Sequence, residues 1–308
     1  MIIKILGSAA GGGFPQWNCN CHNCASARAG HANFKPRTQS SLAVSSDGQS
    51  WALLNASPDL RQQINATPEL GARVSKGLRD SPIKAVVVTN GDVDHIAGLI
   101  NLREGQKFSI YAAERVMATL EANSVFNVVS HENAPRISMP LDTPIDLVGD
   151  GVDLGLTIEA FAVPGKIALY LETEGGNYGS KLGDTIGLRI HERATGKAFF
   201  YIPGVAEIEE PLAKRIAGAS LLFLDGTLFT DDEMVSQGLS TKTGQRMGHI
   251  SMSGPDGSMA VLKPLNIARR IYVHINNSNP ALEDGSDARR TVEAQGWDVG
   301  FDGMEVRL

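Results

Sequence analysis

Two apolar patterns divide the chain: short unbroken runs rich in β-branched residues, and segments in which apolar residues recur every three or four positions. Ile2 to Leu6, Ser41 to Ser45 and Trp51 to Leu54 are strand-length, and the Ser46-Asp47-Gly48-Gln49 turn between the last two marks a hairpin. A helix start follows, with Ser57 as N-cap, Pro58 in the first turn, and Leu60 and Ile64 on one face. The pattern then alternates: strand at 83–89, helix at 96–102, strand at 108–111, helix at 113–122. Short β-like runs and turn residues fill 136–162. The second half predicts strands at 185–191, 197–202, 220–224 and 270–274, with helices near 207–217, 258–264 and 287–295. No Ser/Gly/Pro linker or charge block divides the halves. The reading is one α/β (α+β) domain over residues 1–308, in which each half supplies a sheet with helices outside it, a four-layered sandwich.

Residues 7–37 interrupt this pattern with a long irregular segment. Its Ala9-Ala10-Gly11-Gly12-Gly13 stretch lacks the glycine spacing of a dinucleotide loop and the Gly-Lys-Ser/Thr of a phosphate loop, so it reads as close-packing backbone. All three cysteines fall inside it, in Cys19-Asn20-Cys21-His22-Asn23-Cys24. An odd number at such spacing is a poor disulfide framework, whereas three thiolates can fill three corners of a tetrahedral Zn(II) site. The fourth ligand would come from His22 or from elsewhere in the chain, and the metal would pin the loop; buried inert thiols or a redox pair are the alternatives.

Composition narrows the function. At 308 residues and 42% hydrophobic the chain can bury a large core. A net charge of -6 gives no global basic field, so nucleic acid is not an expected partner, although a local pocket for an anionic small molecule is compatible with it. No stretch approaches the roughly 20 apolar residues of a membrane helix, and the expected location is the cytoplasm.

The chemistry concentrates at strand ends. Ala85-Val86-Val87-Val88 is a run suited to a strand buried on both faces, and Gly91 turns the chain so that Asp92, Asp94 and His95 can converge. Similar strand ends carry Asp225, His249 and His274. Buried carboxylates and imidazoles in one place are stable together when a cation neutralises and orders them.

At this point the sequence resembles the metallo-β-lactamase superfamily, whose His-x-His-x-Asp-His signature ends a buried strand and aligns with Asn90-Gly91-Asp92-Val93-Asp94-His95. The closer resemblance, from Ser8-Ala9-Ala10-Gly11-Gly12-Gly13-Phe14-Pro15-Gln16-Trp17 to His274-Ile275-Asn276-Asn277, is to the pyrroloquinoline quinone biosynthesis protein B family. It implies the αββα metallo-β-lactamase sandwich. Aligned so, Asn90, Asp92 and Lys166 stand where binuclear hydrolases hold one metal with three histidines, and Pro203 stands where a bridging Asp is usual. These substitutions argue for one metal, held by Asp94, His95 and His274 with Asp92 as a fourth ligand and Asp225 as a further ligand or supporting partner. In phosphodiesterase-like relatives with the same cysteine cluster, the His of a Gly-His motif completes the structural zinc. By that resemblance His249 joins Cys19, Cys21 and Cys24.

Two imidazoles with one or two carboxylates resemble the ligand set of non-haem Fe(II) oxygenases, although zinc with an activated water is compatible too. The family resemblance implies Fe(II)- and oxygen-dependent hydroxylation of a Glu-Tyr-derived, carboxylate-rich intermediate in cofactor synthesis. A carrier of the finished quinone cofactor and a metal-dependent hydrolase are the other classes. Lys166 is the leading candidate for the substrate's carboxylates, with Arg37, Arg61 and Arg246 behind it, while Trp17 and Phe14 are candidates to cover the ring. A homodimer is compatible with the sequence.

Overall fold

The computed structural model describes residues 1–171 and 181–308. One sheet takes β1 (Ile2–Gly7), β2 (Ser41–Ser45), β3 (Trp51–Leu54), β4 (Ile83–Val88), β5 (Ser109–Ala113) and β6 (Arg136–Met139). A second takes β7 (Ile145–Gly149), β8 (Val152–Ala162), β9 (Ile186–Glu192), β10 (Ala198–Ile202), β11 (Leu222–Asp225), β12 (Arg270–Val273) and β13 (Trp297–Val299), and β14 (Glu305–Arg307) returns to the first. The orders are β14-β1-β2-β3-β4-β5-β6 and β13-β12-β11-β10-β9-β8-β7. Within each sheet the strands that feed the site are parallel: β4 lies between β3 and β5, and β11 between β10 and β12.

Alternation along these strands builds the layers. Ala85 and Val87 of β4 point into a central core shared with Phe199, Tyr201, Phe223 and Ile271 of the other sheet. Val86 and Val88 point the opposite way, onto Leu60 of α2 (Leu60–Ala66) and Val116 and Leu120 of α4 (Glu114–Ala122). In the second sheet Leu222 and Leu224 likewise face outward, against Leu212 and Ile216 of α5 (Glu210–Ile216), Leu262 of α7 (Ser258–Leu262) and Val292 of α8 (Asp287–Ala294). A strand apolar on both faces therefore sits between a helix layer and its partner sheet, and the architecture is the expected αββα sandwich.

Three local differences from the expectations matter. The segment expected as a helix at 96–102 begins earlier, as α3 (Val93–Ile96), and tightens to a 3-10 turn over Ala97–Leu102. Gly98 presses on the backbone there: an added Cβ would lie 2.0 Å from the Ser57 carbonyl oxygen, and Gly98 donates to the Ala56 oxygen at 2.9 Å. Helix α2 starts after Asp59 instead of at Ser57, whose hydroxyl bonds Gln63 while the Asp59 carboxylate accepts from Gln39. The supposedly irregular 7–37 segment contains α1 (His22–Arg28) and bridges from Ala9 to Gln39 and to Ile275. No helix among the described residues is long and apolar enough to cross a membrane.

The two ends of the chain meet in the first sheet, where Ile2 to Lys4 pair with Arg307 to Glu305. Lys4, in the middle of an apolar strand, reaches Glu69 at 2.7 Å and Glu305 at 2.9 Å.

Glu233, on the short helix α6 (Glu233–Ser236), is buried and straps two loops together, accepting from the Phe229 N–H and from the Ser278 hydroxyl, each at 2.6 Å. Burial outweighs these bonds and lifts its carboxyl from the ordinary 4.5 to about 7. Because the folded value lies above the unfolded one, its contribution to stability is full below about 4.5 and is lost as pH rises through about 7. Thermal melts of Glu233→Gln beside the native protein should show a gap that moves in favour of the variant by up to about 3 kcal/mol between pH 4.5 and 8. A gap independent of pH contradicts the assignment.

Candidate metal centre

Beyond Val88 the chain leaves β4 and is held by Asn55, whose Oδ1 accepts from the Thr89 N–H at 2.9 Å and hydroxyl at 3.1 Å. Asn90 comes next, and its amide sets the chemistry of His95. Asn90 Oδ1 lies 2.7 Å from His95 Nδ1 and also accepts the Asp92 N–H at 2.9 Å. An atom that accepts a backbone N–H is the oxygen, so His95 Nδ1 carries the hydrogen and Nε2 keeps its lone pair. That Nε2 is buried with no hydrogen-bond partner among the described residues. Burial also pushes the His95 imidazole down to about 4, against the pull of Asp94. A buried, neutral imidazole with an orphaned lone pair fits a metal ligand.

His274, immediately after β12, has a left-handed backbone with φ 55 that turns its ring inward. Its Nε2 lies 3.0 Å from Asp94 Oδ2 and its Nδ1 2.8 Å from the Thr227 hydroxyl. That hydroxyl is 2.6 Å from Asp225 Oδ1, an acceptor only, so it donates there and receives the His274 Nδ1–H. Asp225 Oδ2 takes the other neighbour, His249 Nδ1, at 2.7 Å, and accepts the Val205 N–H at 3.0 Å. Asp225 thus orients two imidazoles, one directly and one through Thr227, and the donor atoms of Asp225, His249 and His274 also lie within 4.8 Å of one another, a second group able to share a cation. His249 stacks on His274 with ring centroids 5.2 Å apart.

The donor atoms of Asp94, His95 and His274 lie within 4.8 Å of one another, close enough to share one cation. Burial opposes charge on Asp94, but His95 and the hydrogen-bonded His274 outweigh it and hold the carboxyl well below the usual range. Asp92 does not enter this set of converging atoms. Its carboxyl, raised by burial and by Asp94 and drawn back by Lys166, faces the same space from one side. Lys166 is half-buried, with its Cβ and Cγ packed against Gly248. Gly11 borders the opposite side, its missing side chain directed at the Asp94 carboxylate 3.5 Å away.

The other expected site residues are redistributed. Cys19, Cys21 and Cys24 do converge. His249 is not with them: Gly248, in the left-handed region at φ 85, and the Ile250 N–H bond to Val205 swing it into the strand-end cluster. His22 packs edge-on against Phe34. The thiols are met by Asn277, whose Nδ2 lies 3.2, 3.6 and 3.3 Å from the sulfurs of Cys19, Cys21 and Cys24. Burial pushes the Cys24 thiol up to about 12, so no lone thiolate forms there without a compensating cation. Arg37 is no substrate clamp, because it is buried against the Gly300 carbonyl and the Ser8 hydroxyl. Phe14 is core, Trp17 is exposed to solvent, Arg61 is exposed on α2, and Arg246 is exposed in the turn before His249.

Comparison with known proteins identifies the family and agrees with the fold. Residues 50–275 match the model of the β-lactamase superfamily domain. Coenzyme PQQ synthesis protein B of Methylorubrum extorquens is 51% identical over 308 residues, covering 100% of both chains. That of Bradyrhizobium diazoefficiens is 48% identical, covering 99% of each. Among solved structures, Zn(2+)-bound PqqB from Methylobacterium extorquens superposes with a TM-score of 0.94 at 50% identity over 100% of both chains. With that identity along its whole length and the superfamily domain matched over residues 50–275, the chain belongs to the coenzyme PQQ synthesis protein B family of the β-lactamase superfamily.

Proposed function

We propose that this chain hydroxylates the tyrosine-derived ring of a Glu-Tyr, carboxylate-rich intermediate in PQQ synthesis, using Fe(II), dioxygen and two electrons from an external reductant, with the second oxygen atom leaving as water, while a zinc at the three cysteines is structural. The carrying observation is the donor set itself: one carboxylate, Asp94, and two imidazoles, His95 and His274, converge with both ring Nδ1 atoms already committed elsewhere. Two histidines and a carboxylate form the facial set that leaves open positions on non-haem iron. The reading takes one metal, because the other converging group, Asp225, His249 and His274, shares His274 with this set and spends the Asp225 carboxylate on His249, Thr227 and Val205, while Asn90 spends its oxygen on His95 and Lys166 brings positive charge to Asp92. Bound there, iron supplies the redox change that dioxygen requires and zinc lacks.

The chain's own residues supply the rest. Lys166 pairs with a substrate carboxylate, since no carboxylate among the described residues lies within ion-pair distance of its ammonium. His249, with Nδ1–H fixed on Asp225, keeps Nε2 free to take the proton that ring hydroxylation releases. Tyr170 closes part of the rim by donating its hydroxyl to the Gly91 carbonyl at 2.8 Å.

Protein loaded with Fe(II) without oxygen, then given labelled oxygen gas, a small-molecule two-electron reductant and the Glu-Tyr intermediate, should yield ring-hydroxylated product carrying the label. Label from water only, or full turnover with zinc in the absence of oxygen, returns the protein to the hydrolases; tight binding of PQQ without any turnover makes it a carrier.

Metal analysis separates the two centres. His95→Ala should lose the strand-end metal and keep zinc at the cysteines, and parallel loss of both refutes the division. Lys166→Ala should leave iron content unchanged but raise KM roughly tenfold or more, an effect that Lys166→Arg largely reverses. Unaltered KM in Lys166→Ala removes the lysine from substrate recognition.

A further inference from the structure

The Cys19, Cys21 and Cys24 sulfurs lie within 4.8 Å of one another, and the side-chain amide of Asn277 faces all three, where a tetrahedral site would have its fourth corner. Zinc–sulfur and zinc–oxygen bonds of ordinary length place neighbouring donors about 3.6 Å apart. The terminal amide nitrogen lies 3.2, 3.3 and 3.6 Å from the three sulfurs, close to that edge. Oxygen and nitrogen of an amide exchange places on a half-turn of the side chain. The turn sacrifices only the contacts to sulfur, since Asn277 Oδ1 has no hydrogen-bond partner among the described residues.

The surroundings are built to hold such a centre. Cys19 Sγ accepts the Cys21 N–H and Cys24 Sγ the Gln16 N–H, both at 3.4 Å, as suits thiolates. The backbone of Asn277 is fixed from the other side, its carbonyl accepting from Asn23 Nδ2 at 3.1 Å. Asn277 is 4% exposed, and its amide is packed onto all three sulfurs.

We infer that Asn277 Oδ1 is the fourth ligand of the cysteine-bound zinc, giving an S3O set in which an amide stands where a histidine or fourth cysteine is usual. The inference rests on the reading that the cysteines hold zinc. The ligand lies three residues after His274, on the same loop as a residue of the strand-end centre. An amide oxygen is a weaker donor for zinc than imidazole, so this zinc exchanges faster than a closed thiolate–imidazole site.

The test measures zinc release from purified holoprotein to a chromogenic chelator, together with the near-ultraviolet and visible spectrum after cobalt(II) substitution. Asn277→Ala should release zinc at least about tenfold faster. Asn277→Asp, which keeps an oxygen donor but removes the N–H group, should hold zinc as well as the native protein or better, and Asn277→His should hold it more tightly. All three should keep the native circular dichroism spectrum while metal is bound. If Asp behaves like Ala, the amide serves the thiolates through N–H···S bonds and the ligand assignment is overturned. Native release kinetics and an unchanged cobalt spectrum in Asn277→Ala overturn it as well. Native protein with no metal at the cysteines, by contrast, defeats the underlying zinc reading.

Discussion

Asp225 is wholly buried, yet it carries the charge around which the strand-end centre is organised. Burial alone would keep such a carboxyl neutral, but His249, His274 and Thr227 outweigh that penalty and hold it below its ordinary value. A neutral Asp225 would lose its value as an acceptor-only group, and with it the rule that makes Thr227 donate one way and receive the other. The direction of every hydrogen in the His274–Thr227–Asp225–His249 chain depends on this one ionised side chain. Asn90 performs the same service for His95 with a neutral oxygen. Fixed Nδ1–H bonds therefore determine which nitrogen of each imidazole faces the centre, a more restrictive condition than having histidines nearby.

Most of the framework was legible because buried parallel strands announce themselves. The run from Ala85 to Val88 is apolar on both faces, and the structure uses both, one against the partner sheet and one against helices. What stayed hidden was short or set by tertiary contact. Helices α1 and α6 and strands β13 and β14 offer too few residues for a period to show. The 3-10 turn after Ile96 follows from Gly98 lying against the Ser57 carbonyl, a contact between segments about forty residues apart that no local pattern records.

The centre divides the same way. Asp94, His95 and His274 were readable because each ends or follows an apolar strand. Asn90 was read only as a missing ligand; its positive role, orienting His95, depends on a five-residue turn back toward the strand end. The misplacement of His249 came from transferring a relative's ligand by motif, when Gly248 and Val205 dictate a different direction for the ring. One signal was available for Asn277. Asn276-Asn277-Ser278-Asn279 is an entirely polar tetrapeptide, and all four residues are buried, which requires a dense set of partners.

The pairing of β1 with β14 has a consequence for synthesis. Strand β1 leaves the ribosome roughly 300 residues ahead of its neighbour β14, so one side of β1 waits roughly 15–60 s for its partner at ordinary translation rates. During that interval Ile2-Ile3-Lys4-Ile5-Leu6 is an open apolar edge, the kind of segment that recruits strands from other chains. Lys4 interrupts it. In the finished protein its ammonium is absorbed by Glu69 and Glu305, but on the nascent chain the same charge acts as a gatekeeper against wrong pairing.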